Sequence, residues 1–224
     1  MCGPGRSAGR WQTGSVVSFQ EKPAPGKAQS KMINTGIYVF SPEVFDYIPE
    51  TGEYDIGSQL LPDLVRQGVK FIAHEAAGTW LDVGKLEDIH VATAAILRLE
   101  TDIRPARQRF RQAVWIREAA SVDPAGIVCR GELFVDNGAI IENKAVIDGT
   151  CSVGRNCVVR SGAVLRRTQI LGSHLEIPGG LRLQDKIVTD RYVISADGVF
   201  QTLEESGIRD VRSIADQEKL ARVG

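Results

Sequence analysis

LFVDNGAIIENKAVIDGTCSVGRNCVVRSGAVL, residues 133 to 165, repeats with a period of six. Every sixth residue through this stretch and its flanks gives Cys129, Val135, Ile141, Ile147, Val153, Val159, Leu165, Leu171 and Ile177, and eight of these nine are aliphatic. Four residues after each comes a second series, Leu133, Ala139, Ala145, Cys151, Cys157, Ala163, Gln169 and Leu175, which is mostly small. Gly, Asn, Asp and Arg fill the positions between. A helix turning once every ~3.6 residues would smear a six-residue apolar period over its whole surface. A solenoid of short strands joined by turns keeps every repeat facing inward, so internal repetition decides the fold of this half.

The pattern resembles the hexapeptide repeat of the left-handed parallel β-helix, in which each short strand contributes one inward aliphatic residue and a small residue fits each corner. The match runs from about Gly126 to Ile177. Phe134 is the only aromatic residue between Ile116 and Ile177. Glycine occurs 23 times in 224 residues, above the average of about 7%, and part of that excess lies in the repeat.

Upstream, from Ile33 to Leu99, the sequence reads as alternating strands and helices. Ile33-Asn34-Thr35-Gly36-Ile37-Tyr38-Val39-Phe40 is β-branched and aromatic and predicts a strand. Ser41-Pro42-Glu43 predicts a short helix over Pro42 to Ile48. Leu60, Leu61, Leu64 and Val65 share a helical face that closes at Gly68. Short strands are expected at Val69 to Ala73 and near Thr79 to Val83. Leu86, Ile89, Thr93, Ile96 and Leu97 mark a longer helix running to about Leu99. The fold class is therefore α/β with a β-helix behind it: residues 1–100 as the α/β part, 101–123 as a linker, 124–200 as the β-helix and 201–224 as a helical tail. Arg104, Arg107, Arg109, Arg111 and Arg117 in the linker read as a solvated seam. Thr202 to Glu205 reads as a capping box opening a short helix ended by Gly207, and Ser213 is expected to cap a last helix over Ile214 to Ala221.

Composition removes several functions. Lys+Arg 27 against Asp+Glu 28 gives a net charge of −1, which offers no field for a phosphate backbone and argues against nucleic acid as the main partner. No apolar run approaches the ~20 residues of a membrane span, and the first ten residues lack the apolar core of a signal peptide. Four scattered cysteines suit a reduced, cytoplasmic protein rather than a disulfide scaffold. Cys151 and Cys157 are expected as small buried side chains on different faces of the solenoid, not metal ligands.

Three motifs stand in order: Val16-Val17-Ser18-Phe19-Gln20-Glu21-Lys22-Pro23, then Ile33 to Tyr38, then Trp80-Leu81-Asp82-Val83-Gly84 before a helix. In this order, ahead of a β-helix, they resemble the sugar-phosphate nucleotidyltransferases, with mannose-1-phosphate guanylyltransferase-like members nearest and glucose-1-phosphate enzymes next. The resemblance implies that Glu21 binds sugar hydroxyls and that Lys22 holds the phosphate of a sugar 1-phosphate. It implies that Asn34, Thr35 and Gly36 form the wall of the sugar pocket. It also implies that Asp82 helps to hold Mg²⁺ at the phosphates of a nucleoside triphosphate. Lys22 and Asp82 are then the catalytic pair. A lysine is a compact charge for a phosphate oxygen, a carboxylate accepts from neighbouring hydroxyls, and Mg²⁺ takes oxygen ligands. The implied reaction is attack of the sugar 1-phosphate on the α-phosphorus of the triphosphate, with release of pyrophosphate.

The family's glycine-rich nucleotide loop has no counterpart in the sequence, because Gly3-Pro4-Gly5 neither follows a strand nor opens a helix. The expectation is that this chain alone turns over barely or not at all, and that it joins a homo-oligomer or a hetero-assembly. A regulatory or assembly subunit, or a gene fragment, is the non-catalytic alternative. A hexapeptide acyltransferase using His174 is the second alternative, and no polar partner for His174 is evident in sequence. His74 and His90 read as structural or exposed.

Overall fold

The computed structural model describes residues 13–16, 18, 24, 26–27, 32–105, 109–111 and 113–212. The chain divides into two compact units, residues 1–80 and 81–224.

In the first unit, β1 (Thr13–Ser15) and α1 (Leu61–Arg66) are followed by β2 (Ile72–His74), which pairs antiparallel with β1. A 3-10 turn covers Pro42–Tyr47, with Pro42 in its first turn as the sequence predicts. A wider turn over Ile56–Leu60 leads into α1, and the Asp55 carboxylate accepts from Ser58 N at its start. Leu60, Leu61 and Leu64 are buried as a small core under Tyr38, Tyr47, Tyr54 and Phe71. The predicted end at Gly68 is present. Gly68 takes φ 70°, Gly68 N donates to Val65 O, and Val69 N donates to Leu64 O, which satisfies the last carbonyls of the helix.

Two strand expectations in this unit are corrected. Ile33 to Phe40 has no ladder partner among the described residues. Gly36 at φ 73° turns the chain in its middle, and Val39 is 98% exposed. Strand propensity needs a neighbouring strand to complete its hydrogen bonds, and the described residues supply none. Thr79 to Val83 is likewise irregular, and the strand expected at Val69 to Ala73 sits later, as β2.

The second unit opens with α2 (Leu86–Leu97) and continues as a parallel solenoid with three faces. Val114–Ile116, Leu133–Val135, Cys151–Val153 and the later parts of Val164–Ile170 and Arg182–Val188 stack on the first face. Ser121–Val122, Ile140–Ile141, Val158–Val159 and Leu175–Ile177 form the second. Val128–Arg130, Val146–Asp148 and the opening parts of the two long strands form the third. One coil is three hexads, so Leu133 lies over Cys151 and Val146 over Val164. The solenoid begins at Val114, earlier than the hexads suggest, because Trp115 and the short strand at Ser121 break the aliphatic spacing.

The inward positions follow the sequence closely. Seven members of the small series, Leu133, Ala139, Ala145, Cys151, Cys157, Ala163 and Leu175, are fully buried inside the solenoid, as are Val135, Ile147, Val153, Val159, Leu165 and Ile177. Gln169 is equally buried, but it pairs with Ser152 and lies against His90 of α2. Leu171 is a correction, at 56% exposed. Ser152 pairs with Gln169, one residue short of the regular coil, so Ile170 takes the inward place intended for Leu171. The corners need left-handed backbone. Gly131, Gly149, Arg167 and Asp185 follow one another at one corner with positive φ, and Gly138, Asn156 and His174 do so at another. Cys151 and Cys157 are buried and unbridged, and burial raises their thiols to about 12 and about 11.

The open end is covered by antiparallel strands, Tyr192–Ser195 and Phe200–Thr202 on the first face and Arg209–Asp210 on the second. The capping-box bonds are made: Thr202 N donates to Glu205 Oε2 and Glu205 N to Thr202 Oγ1. They hold a turn closed by Gly207 rather than a helix. The helix expected from Ser213 lies outside the described residues.

Candidate functional site

Asn34 organises the middle of the expected sugar-pocket wall. Its Oδ1 accepts from Gly36 N at 3.0 Å, and its Nδ2 donates to the Tyr38 hydroxyl at 2.5 Å. This is an Asx turn, in which a short amide side chain replaces a backbone partner two residues on. Gly36 has a positive φ, and among the described residues nothing lies within 4 Å of where its Cβ would be. The turn therefore presents the half-buried Thr35 and a bare backbone at Gly36. Tyr38 stacks on Phe40 with ring centroids 5.4 Å apart, which fixes the hydroxyl that Asn34 meets. Asn34 has one amide N–H left to offer a ligand.

Asp82 stands on the exposed loop that enters α2. The loop is tied to the helix by Asp88, whose Oδ2 accepts from Gly84 N at 3.1 Å and Lys85 N at 2.8 Å. These amides belong to the helix start, where donors otherwise lack partners and a carboxylate is favoured by the helix dipole. A Cβ on Gly84 would lie 3.9 Å from both Asp82 Oδ1 and Asp88 Oδ2. Asp88 is thus occupied by backbone, and Asp82 is the exposed carboxylate of the pair.

Residues 7–98 match the nucleotidyl transferase family. A UTP–glucose-1-phosphate uridylyltransferase of Synechocystis is 37% identical over a stretch covering 57% of this chain and 41% of that protein. Glucose-1-phosphate adenylyltransferases of Clostridium perfringens and Bacillus mycoides are 28% and 32% identical, covering 40% and 43% of this chain. This stretch is similar to the sugar-phosphate nucleotidyltransferases. The chain spans 41% of the length of the first of these relatives and 24% and 27% of the other two.

The nucleotidyltransferase match ends at Arg98, the residue that closes α2, yet α2 packs on the solenoid. Trp115 Nε1 donates to Leu97 O at 2.9 Å, and Arg98 Nε donates to Glu132 Oε1 at 2.6 Å. Glu132 Oε2 accepts from Thr150 Oγ1. Burial pushes the Glu132 carboxyl up, but the bonds from Arg98 and Thr150 outweigh this and hold it below the usual range. Further along, the buried His90 meets Gln169 on the first face.

Of the nucleotidyltransferase residues expected from sequence, Asn34, Thr35 and Gly36 share one turn of the first unit, and Asp82 lies in the second unit. Glu21 and Lys22 lie outside the described residues. No group of three or more His, Cys, Asp or Glu among the described residues is arranged to hold a metal ion. The fit for Mg²⁺ rests on Asp82 as a single exposed carboxylate, a donor set that this ion accepts when substrate phosphates and water complete its shell.

His174 does have a polar partner, correcting the sequence reading. Asn156 Nδ2 lies 2.9 Å from its Nε2 across adjacent coils of one corner. Tyr38, Asp88 and Gln169 were not singled out as polar partners from sequence. Asp88 was legible as an acid three residues after the helix start, and Gln169 as the one polar member of the small series. Tyr38 carried no signal beyond strand propensity.

Proposed function

We propose that the chain forms the sugar-phosphate side of a glucose-1-phosphate nucleotidyltransferase, a uridylyl- or adenylyltransferase by the names of its relatives. The observation that supports this most is the family match over residues 7–98 together with the 37% identical relative. Those relatives favour glucose 1-phosphate over mannose 1-phosphate, the other sugar expected from sequence. In this reading Glu21 accepts from sugar hydroxyls and Lys22 neutralises the sugar phosphate. Thr35 and the remaining Asn34 N–H meet hydroxyls across the open backbone at Gly36. Asp82 holds Mg²⁺, which when bound neutralises charge on the nucleotide phosphates. The chain's own residues align the sugar phosphate oxygen with the α-phosphorus, so catalysis is positioning and charge balance. Use of a nucleoside triphosphate supports a cytoplasmic setting. The exposed Ile33, Ile37 and Val39 support self-association, which size-exclusion chromatography reads.

Thermal shift with glucose 1-phosphate tests the reading. At one hundred times Kd a bound ligand adds about 2.7 kcal/mol of stability, a rise of several degrees. Glucose 1-phosphate raises Tm, glucose and inorganic phosphate do so far less, and Lys22→Ala abolishes the response. An unchanged Tm across millimolar glucose 1-phosphate overturns the reading.

A further inference from the structure

His90 is a buried titratable group that the proposed chemistry does not use, and its surroundings fix its protonation. Gln169 Nε2 donates to Thr150 O at 2.7 Å and lies 3.2 Å from His90 Nδ1. A carbonyl only accepts, so the contact with Thr150 determines which end of the Gln169 amide faces His90. The Nε2 end is a donor, and His90 Nδ1 must therefore accept, which requires the neutral ring protonated at its other nitrogen. Turning the amide over would bring Gln169 Oε1 against the Thr150 carbonyl. Oε1 is itself buried and without a partner among the described residues. Protonating His90 would set an N–H against an N–H in a site closed to water.

The charged groups facing His90 are Arg167 and Asp185 from the solenoid and Glu87 from α2. Burial, then Arg167, hold the imidazole below its usual range, against the opposing pull of Glu87 and Asp185. The same residues tie the helix down, since Arg167 pairs with both Glu87 and Asp185. The helix fixed in this way carries Asp88, and Asp88 holds the loop of Asp82 through the Gly84 and Lys85 amides.

We propose that His90 and Gln169 are positioning residues: their contact seats α2 on the solenoid and so sets the Asp82 loop, and protonation of His90 releases both. The proposal rests on the role given to Asp82 above. Its sign follows from linkage. A histidine held neutral in the seated state binds fewer protons than when released, so seating is complete above pH 6.5 and weakens as pH falls below it.

Amide hydrogen exchange on the full chain, corrected for intrinsic rates, tests this between pH 7.5 and 5.5, above the carboxylate range. The Gly84 and Lys85 amides and those of α2 are expected to lose protection together, on the order of tenfold at pH 5.5, while the solenoid strands stay protected and serve as the folding control. His90→Gln keeps an acceptor for Gln169 Nε2 without a titrating ring, and is expected to retain protection and lose the pH step. Gln169→Leu is expected to lose both. Equal protection at the two pH values, or a step that survives His90→Gln, overturns the proposal. A step confined to α2 that leaves Gly84 and Lys85 unchanged overturns the positioning of the loop. None of these readouts involves sugar phosphate, so their failure and that of the thermal-shift test are separable.

Discussion

Arg167 holds Glu87 with two parallel bonds, Nη1 to Oε1 at 3.0 Å and Nη2 to Oε2 at 2.8 Å, while its Nε reaches Asp185 at 2.6 Å. One guanidinium thus joins helix α2 to successive coils of the solenoid, a geometry that lysine cannot reproduce. The residue also sits at φ 43°, at a left-handed corner that the two preceding coils fill with Gly131 and Gly149. Arg167→Ala keeps the strain and loses the pairs, whereas Arg167→Gly loses the pairs and relieves the strain. With the side chain 43% exposed, the pairs contribute about 0.5–1 kcal/mol and the strain costs about 1 kcal/mol. Urea denaturation is expected to rank the alanine variant below the glycine variant.

Two glycines of the solenoid separate steric need from backbone need. A Cβ at Gly154 would lie 2.2 Å from Gly172 O and 2.9 Å from Ile170 O, both backbone atoms of the next coil. At Gly180 a Cβ would meet nothing within 4 Å, but φ is 80°. Gly154→Ala is expected to destabilise by roughly 2–4 kcal/mol and Gly180→Ala by about 1 kcal/mol. Equal losses in chemical denaturation would show that the coils do not pack as closely as described.

The two buried thiols should be inert. Burial raises Cys151 to about 12 and Cys157 to about 11, and the thiolate is the reactive form. Iodoacetamide at pH 8 followed by mass mapping is expected to leave both unmodified in the native protein and to label both in denaturant. Rapid native labelling of either residue would contradict their inward placement.

Acid should loosen the far end of α2 separately. Glu132 is held below the usual carboxylate range by Arg98 and Thr150 despite the opposing effect of burial. Its folded value is below its unfolded one, so its contribution is present above about pH 4.5 and is lost as pH falls through the folded value. Arg98→Met is expected to lower Tm at pH 7 and to converge toward the parent near pH 3. A constant difference across that range would remove Glu132 from the account.

The solenoid was legible because its signal is periodic. Leu133, Ala139, Ala145, Cys151, Cys157 and Ala163 each occupy the same environment, so each confirms the next. Leu171 escaped because one coil is a residue short between Ser152 and Gln169, and a strict period cannot register a slip. The first unit was harder to read. Ile33 to Phe40 has strand composition, yet composition does not say whether a partner strand is present, and a left-handed glycine at position 36 suits a turn as well as a close approach to ligand. In the site, Asn34, Thr35 and Gly36 were found by motif, but the bond from Asn34 to Tyr38 depends on how the turn folds back. His90 read as an ordinary helical histidine because the residue opposing it, Gln169, lies 79 positions away.

The docking of α2 also bears on how such proteins recombine. The family match runs to Arg98, but the surface that receives this helix is built by Trp115, Glu132, Thr150 and Gln169. A crossover placed where the family resemblance stops would separate the helix from its seat, and the recipient would inherit a solenoid with a buried polar row laid bare. The heritable module is the helix together with the coils beneath it, and a viable chimera would have its junction before Leu81.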